Sequence, residues 1–193
     1  MRKLLTTFTV LAFAAFLIIG LCGCPERPAE KPPEPEKPEM TMKDIDAMTV
    51  VYLEKKGPYE ETGKAMMELF ELMKKKEIKE RNFPMGFYYD DPTKVDPKET
   101  RYEVLSQFVG EFKGDKELKV KEIPAQKVAT VLYVGPYEKC MDTYMELYGW
   151  IAKNNYEVCG PSMEKYLNDP AKVTPEELKT EIMVPVKEKD KEK

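Results

Sequence analysis

The sequence predicts an α+β fold in which two βαββ units, copies of one another, pack about a pseudo-two-fold axis, an antiparallel sheet lying under two helices. Three observations predict it. Residues 42–108 lie over residues 120–186 without a gap, with 21 identities in 67 positions. Within each copy, strand-type and helix-type hydrophobic periods alternate in the same order. Two copies are too few for a stacked repeat array, which needs about three or more units to bury its faces, so the halves must bury each other.

Each copy reads in the same order. "KVATVLYV" (127–134) is β-branched and apolar on both faces, as a central strand is; "MTVVYLEK" (48–55) is its counterpart. "GPYE" then breaks both strands, at 57–60 and again at 135–138. Gly57 and Gly135 supply the backbone freedom of a tight turn, and Pro58 and Pro136 preset φ for a first helical turn. Glu60 and Glu138 suit the positive end of the helix that follows. Ala65, Met66, Leu69, Leu72 and Met73 make the apolar stripe of the first helix. Met141, Tyr144, Met145, Tyr148 and Ile151 make that of the second, widened by Leu147 and Trp150, and Asn154-Asn155 ends it.

"FPMGFYYDDP" and "GPSMEKYLNDP" predict short strands closed by an Asp-Pro turn. Pro97-x-Glu99 and Pro175-x-Glu177 lead into the final strands, "RYEVLSQF" and "KTEIMVPV". In the last strand Thr180, Ile182, Val184 and Val186 share one face, so Glu181 and Met183 point to the other.

The ends of the chain stand apart from this fold. Residues 1–23 read as a secretory signal, with Arg2 and Lys3 before the apolar run "LLTTFTVLAFAAFLIIG". "LCGC" looks like a bacterial lipobox, with Cys24 as the acylated residue and Gly23 before it; Cys22 follows a bulky leucine. The competing reading is a retained transmembrane anchor, for which about 18 apolar residues is the lower limit. Residues 24–41 form a Pro/Glu-rich linker, an extended spacer reaching roughly 45 Å at about 3.1 Å per residue. Residues 188–193 are a charged tail. The expected location is the cell envelope, lipid-anchored on the periplasmic or surface side of a bacterial membrane.

Composition narrows the chemistry. Histidine is absent, which removes His-based triads and the commonest metal or haem ligand. No Cys-x-x-Cys pair, phosphate loop or nucleophile elbow takes its place. The net charge of −4 becomes more negative once the signal's cations are gone, and no basic cluster with interleaved aromatics marks a nucleic-acid surface. Neither cofactor nor metal is expected. Cys140 and Cys159 can pair outside the cytoplasm, but their spacing does not require it.

The combination of strand–"GPYE"–helix, "MEKYLNDP", "TPEELKTEIMVPV" and a tryptophan late in the second helix resembles the GyrI-like small-molecule-binding domain, the effector-binding domain of AraC- and MerR-type transcription activators. The resemblance covers 42–187. It implies a ligand cleft between the halves that takes lipophilic, often cationic molecules through a glutamate and surrounding aromatics. The position it assigns to that glutamate is Glu181, with Trp150, Tyr133, Tyr137 and Tyr166 as the aromatics. From the residues alone, Glu181 reads rather as an exposed strand carboxylate paired with Lys179 or Lys187, and Trp150 as a core residue of an amphipathic helix. Where many members carry histidine before the "GPY" turn, this chain has Tyr133 and Val134.

Three functions follow as alternatives. The first is a membrane-anchored module that captures or senses a small lipophilic or cationic compound. The second, implied by hydrolases within the resemblance, opens strained electrophiles with Glu181 as general base. The third is an envelope protein-interaction module with an unidentified partner.

Overall fold

The fold is given by a computed structural model describing residues 38–189. The expected signal, Cys24, most of the expected linker and the end of the tail lie outside the described residues. No helix among them is long and apolar enough to cross a membrane.

Copy one runs β1 (Met40–Ile45), β2 (Met48–Lys56), α1 (Thr62–Lys75), β3 (Lys79–Glu80), β4 (Met85–Tyr88) and β5 (Arg101–Val109). Copy two repeats it as β6 (Lys119–Ile123), β7 (Gln126–Val134), α2 (Met141–Lys153), β8 (Tyr156–Val158), β9 (Ser162–Tyr166) and β10 (Lys179–Glu188). The predicted βαββ core of each copy is present. Each copy also has a leading strand and a strand of two or three residues after the helix.

The same local chemistry starts and stops both helices. Gly57 and Gly135 take φ of 141° and 145°, turning the chain into a short 3-10 turn, Tyr59–Glu61 or Tyr137–Lys139, ahead of each helix. At the far ends Glu77 (φ 56°) and Asn155 (φ 64°) adopt the left-handed conformation that closes a helix. After α1, the Ile78 amide donates to the Met73 carbonyl, satisfying a terminal acceptor.

All strand pairings are antiparallel, in the order β1-β7-β10-β9-β4-β5-β2-β6, with β3 added to β5 and β8 to β10. The leading strands are exchanged. β1 of copy one pairs with β7 of copy two, from Met40↔Val131 to Ile45↔Gln126; β6 of copy two pairs with β2 of copy one, from Met48↔Ile123 to Tyr52↔Lys119. At the centre β4 meets β9, with Gly86 opposite Glu164.

The sheet is buried on both faces, in different ways. Under α1, Val51, Leu53, Leu69, Met73 and Val104 form one core; under α2, Ala129, Val131, Leu147, Ile151 and Ile182 form another. On the opposite face a single core takes equivalent residues from both copies: Ile45 and Ile123, Val50 and Val128, Met85 and Met163, Leu105 and Met183. Edge-strand and central-strand residues meet there, so the sheet curls around this face. Met141 and Met145, expected on the buried stripe of α2, are 41% and 65% exposed, which narrows that stripe to Thr143, Leu147 and Ile151 with Tyr144 and Trp150 at its sides.

The two GPY turns differ in one respect. A Cβ on Gly135 would lie 2.8 Å from the Tyr133 hydroxyl oxygen and 3.2 Å from the ring carbon bearing it, whereas a Cβ on Gly57 meets only the Glu61 carboxylate at 3.6 Å. Both substitutions strain the backbone, by about 1–3 kcal/mol. Gly135→Ala should lower stability in denaturant unfolding by more than Gly57→Ala does. Equal losses would mean that Tyr133 gives way freely.

Candidate functional site

The axis relating the copies passes through the β4–β9 pair. Residues 86 and 164 are equivalent in the repeat, 78 positions apart, and are also direct cross-strand partners. Met85, Phe87 and Met163 point into the shared core. By strand alternation Gly86, Tyr88, Glu164 and Tyr166 therefore face the helices, at the seam between α1 and α2. The copies differ at this position: copy one has glycine and copy two has glutamate.

Glu164 is 8% exposed and carries a carboxyl among tyrosines. Tyr144 of α2 donates to Oε1 at 2.7 Å, and Tyr166 donates to Oε2 at 2.9 Å. Tyr88 and Tyr166, equivalent residues of the two copies, join hydroxyls at 2.6 Å across the axis. Tyr88 also lies 3.4 Å from Thr62 Oγ1, and the Thr62 hydroxyl donates to the Tyr59 carbonyl at 2.7 Å. Above the acid, Tyr148 shares a 2.6 Å hydrogen bond with Ser162. Gly86 makes room for this cluster, since a Cβ there would sit 2.8 and 2.9 Å from the Tyr88 and Tyr166 hydroxyl oxygens.

The GPY tyrosines close the walls. Tyr59 meets Tyr88 edge to face at 4.8 Å between centroids, and Tyr137 meets Tyr166 in the same way at 5.5 Å. The recurring tetrapeptide thus puts one ring against each central-strand tyrosine.

Burial raises the pKa of Glu164 above the usual carboxylate value, and the tyrosine hydrogen bonds offset only part of that rise. Burial foremost, and then the charge of Glu164, push Tyr88, Tyr144 and Tyr166 well above 10, so all three keep their protons. The chain of hydroxyls can serve either state of the acid. An ionised Glu164 accepts from Tyr144 and Tyr166, with Tyr88 donating to Tyr166. A protonated Glu164 donates to Tyr166, which donates to Tyr88 and so to Thr62, where the longer 3.4 Å contact ends the relay. Nearby, burial and Glu164 push the Cys140 thiol up to about 12, so it is no thiolate nucleophile at neutral pH. Among the described residues no group of three or more acidic, histidine or cysteine side chains could hold a metal.

The residues expected at the site divide. Tyr137 and Tyr166 come together beside the acid. Tyr133 faces α2, its hydroxyl donating to the Pro136 carbonyl at 2.8 Å. Trp150 lies on the outer flank of α2, lining a shallow depression of about 400 Å³ with Pro38, Met40 and Lys153. Glu181 lies apart from this cluster. It shares a sheet face with Met183, away from the helices, and accepts from Lys43 at 2.8 Å and Thr130 at 3.4 Å. Its partner is neither Lys179 nor Lys187, because the exchanged strand β1 brings Lys43 across β7. Cys140 and Cys159 are both free thiols. Glu164, Tyr88, Tyr144 and Tyr148 were not anticipated. The alignment of the copies carried a signal for them: glycine becomes glutamate between two conserved neighbours, Met85/Met163 and Tyr88/Tyr166, while Met66 and Phe70 become Tyr144 and Tyr148.

Residues 38–187 match the family model described as the GyrI-like small molecule binding domain. Among solved structures, the EcmrR C-terminal domain superposes with a TM-score of 0.71 at 22% identity, over 78% of this chain and 98% of that one. In the EcmrR–DNA transcription complex the match spans 58% of the longer EcmrR chain. A hydrolase from Listeria innocua gives a TM-score of 0.59 at 17% identity, over 77% of this chain and 92% of that one. SAV2435 bound to tetraphenylphosphonium gives 0.54 at 15% identity, over 77% and 94%. At these identities the likeness is one of fold. No curated protein sequence matches.

The raised acid predicts a pH signature. Below its ordinary value of about 4.5, Glu164 is protonated in both the folded and the unfolded chain and costs nothing. As pH rises the unfolded chain ionises first, so stability falls until the folded acid ionises as well. Glu164→Gln has no proton to lose. Its melting temperature relative to wild type should therefore climb as pH passes upward through about 4.5 and stay flat below it. A difference that does not vary between about pH 3.5 and about pH 8 would show that the acid is not strained by burial.

Proposed function

The chain belongs to the GyrI-like small-molecule-binding domain family, and from that premise we propose that it captures a lipophilic cation at the seam between its copies, with Glu164 as the charge partner. One observation carries this reading. Among the described residues the partners of this buried carboxylate are all hydroxyls, with no lysine or arginine ion-paired to it. Taking a carboxylate out of water costs several kcal/mol unless an opposite charge compensates. An organic cation supplies that charge, and its apolar groups suit the ring faces of Tyr59, Tyr88, Tyr137 and Tyr166. Each ring adds cation–π attraction of roughly 0.5–2 kcal/mol. SAV2435, with the same fold, holds a cation of this class.

Binding has to open the seam. Tyr144 and Tyr148 hang from α2 over the acid, so the ligand enters by drawing α2 back and breaking the contacts to Glu164 and Ser162. Each neutral hydrogen bond lost costs about 0.5–1.5 kcal/mol, within reach of the burial of a few aromatic rings. On this reading Glu181 takes no part in the seam, since it is ion-paired with Lys43 on the other face of the sheet.

A lipid on Cys24 and an extended linker would hold this seam close to a membrane, where lipophilic cations concentrate. Cys24→Ala should then move the full chain from the membrane to the soluble fraction; unchanged membrane retention would favour an uncleaved anchor. For the ligand, calorimetry of the full chain should show binding of tetraphenylphosphonium and far weaker binding of neutral triphenylphosphine oxide. Glu164→Gln should cut cation affinity by about tenfold or more, a loss of about 1.4 kcal/mol, and leave the neutral compound unaffected. Equal affinity of wild type for the two compounds would overturn the charge-partner reading.

A further inference from the structure

A second arrangement suited to a cation lies on the face away from the helices. There the Lys121 ammonium sits 4.6 Å from the centroid of Tyr52 and 5.2 Å from that of Phe87, and is ion-paired with Glu103. The Glu103 side chain is only 9% exposed, and Tyr89 stands beside the same carboxylate. The rings and the acid come from β2, β4 and β5, adjacent strands of copy one. The ammonium comes from β6, a strand of copy two that among the described residues lies at the sheet edge and pairs with β2. The receptor is thus complete in one copy and its occupant is delivered by the other.

Copy two shows what the ion pair alone requires. Lys43 of β1 pairs with Glu181 at 2.8 Å, the symmetric equivalent of Lys121 with Glu103. At the positions of Tyr52, Phe87 and Tyr89, however, copy two has Thr130, Lys165 and Leu167. Tying an exchanged edge strand to the sheet therefore needs no aromatic rings. A carboxylate faced by rings is the arrangement that recognises ammonium groups, including methylated ones.

We propose that Tyr52, Phe87, Tyr89 and Glu103 form a second binding site, for a primary or N-methylated alkylammonium group, held closed by Lys121 until such a group displaces it. The site is separate from Glu164, which faces the helices. Lys121 swings into solvent on its four-carbon stem as the ligand enters, and its competition weakens the apparent affinity of the wild-type chain.

The test compares wild type, Lys121→Ala and Lys43→Ala in the full chain, titrated with n-butylammonium or tetramethylammonium chloride at constant ionic strength. Tyr and Phe ring resonances and melting temperature are followed, with n-butanol as the neutral control. Lys121→Ala should bind n-butylammonium at least about tenfold more tightly than wild type. Its melting temperature should rise with the logarithm of amine concentration. Lys43→Ala should respond no more strongly than wild type, and no chain should respond to butanol. Adding Tyr52→Leu to Lys121→Ala should weaken the amine severalfold. Should Lys121→Ala fail to fold, Lys121→Gln removes the charge and keeps the stem, with the same outcomes expected. Equal responses in all three chains, or an equal response to butanol, would overturn the proposal.

Discussion

The structure turns on what a two-fold axis permits at the one residue pair it crosses. Any side chain placed there by both copies faces its own twin across an antiparallel rung, with Cα atoms about 4.5–5.5 Å apart. Two glutamates so placed could not both ionise. The duplicated chain has a single acid at this rung, Glu164, with Gly86 opposite. The space released by the missing side chain lets Tyr88 and Tyr166 bring their hydroxyls together. The symmetric frame positions the tyrosines, and breaking the symmetry at its centre provides the charge.

That asymmetry extends outward along α2. Met66 of α1 is simply buried, while its equivalent Tyr144 reaches the acid; Phe70 is apolar, while its equivalent Tyr148 bonds to Ser162. Copy two therefore supplies the acid and two of the hydroxyls over it, and copy one supplies Tyr88 and the terminal acceptor Thr62. Both hydroxyls that donate to the acid, Tyr144 and Tyr166, come from copy two, and copy one completes the network through the Tyr88 hydroxyl on Tyr166, which ties the polar site to the packing of the halves. The same division recurs on the other face, where copy one supplies an aromatic cage and copy two the lysine that fills it.

Much of the fold was legible because its signals are local or repeated. The GPY turns, the helices they start and the paired final strands follow from backbone preferences of Gly and Pro and from hydrophobic periods, and the duplication doubled each signal. The exchange of β1 and β6 was not legible, since a strand following a spacer carries no mark of which copy it will join. That exchange decides the fate of Glu181, whose partner Lys43 is 138 residues away. Alternation along β10 placed Glu181 opposite Ile182, as observed. It could not say which face the helices cover, because Ile182 and Val184 on one side and Met183 on the other are all buried. Period-two reasoning fixes relative sides and leaves the absolute side to tertiary packing.

The division of the core bears on how the seam would open in the proposed capture of a cation. Each helix rests on its own core, drawn mainly from its own copy with residues of the exchanged strand at the rim, whereas the opposite face of the sheet is held by one core drawn from both. Moving α2 thus disturbs Leu147 and Ile151 against β7 and β10 but leaves the shared core intact. Close-packed protein interiors resist gradual deformation, so a helix seated on a separate core is the element free to shift as a unit. In the closed state the acid is already satisfied by Tyr144 and Tyr166, and a ligand gains only the difference between its own contacts and theirs. A neutral molecule offers no charge to set against the lost hydroxyls. A cation does, and its advantage grows with the burial that made the carboxylate costly.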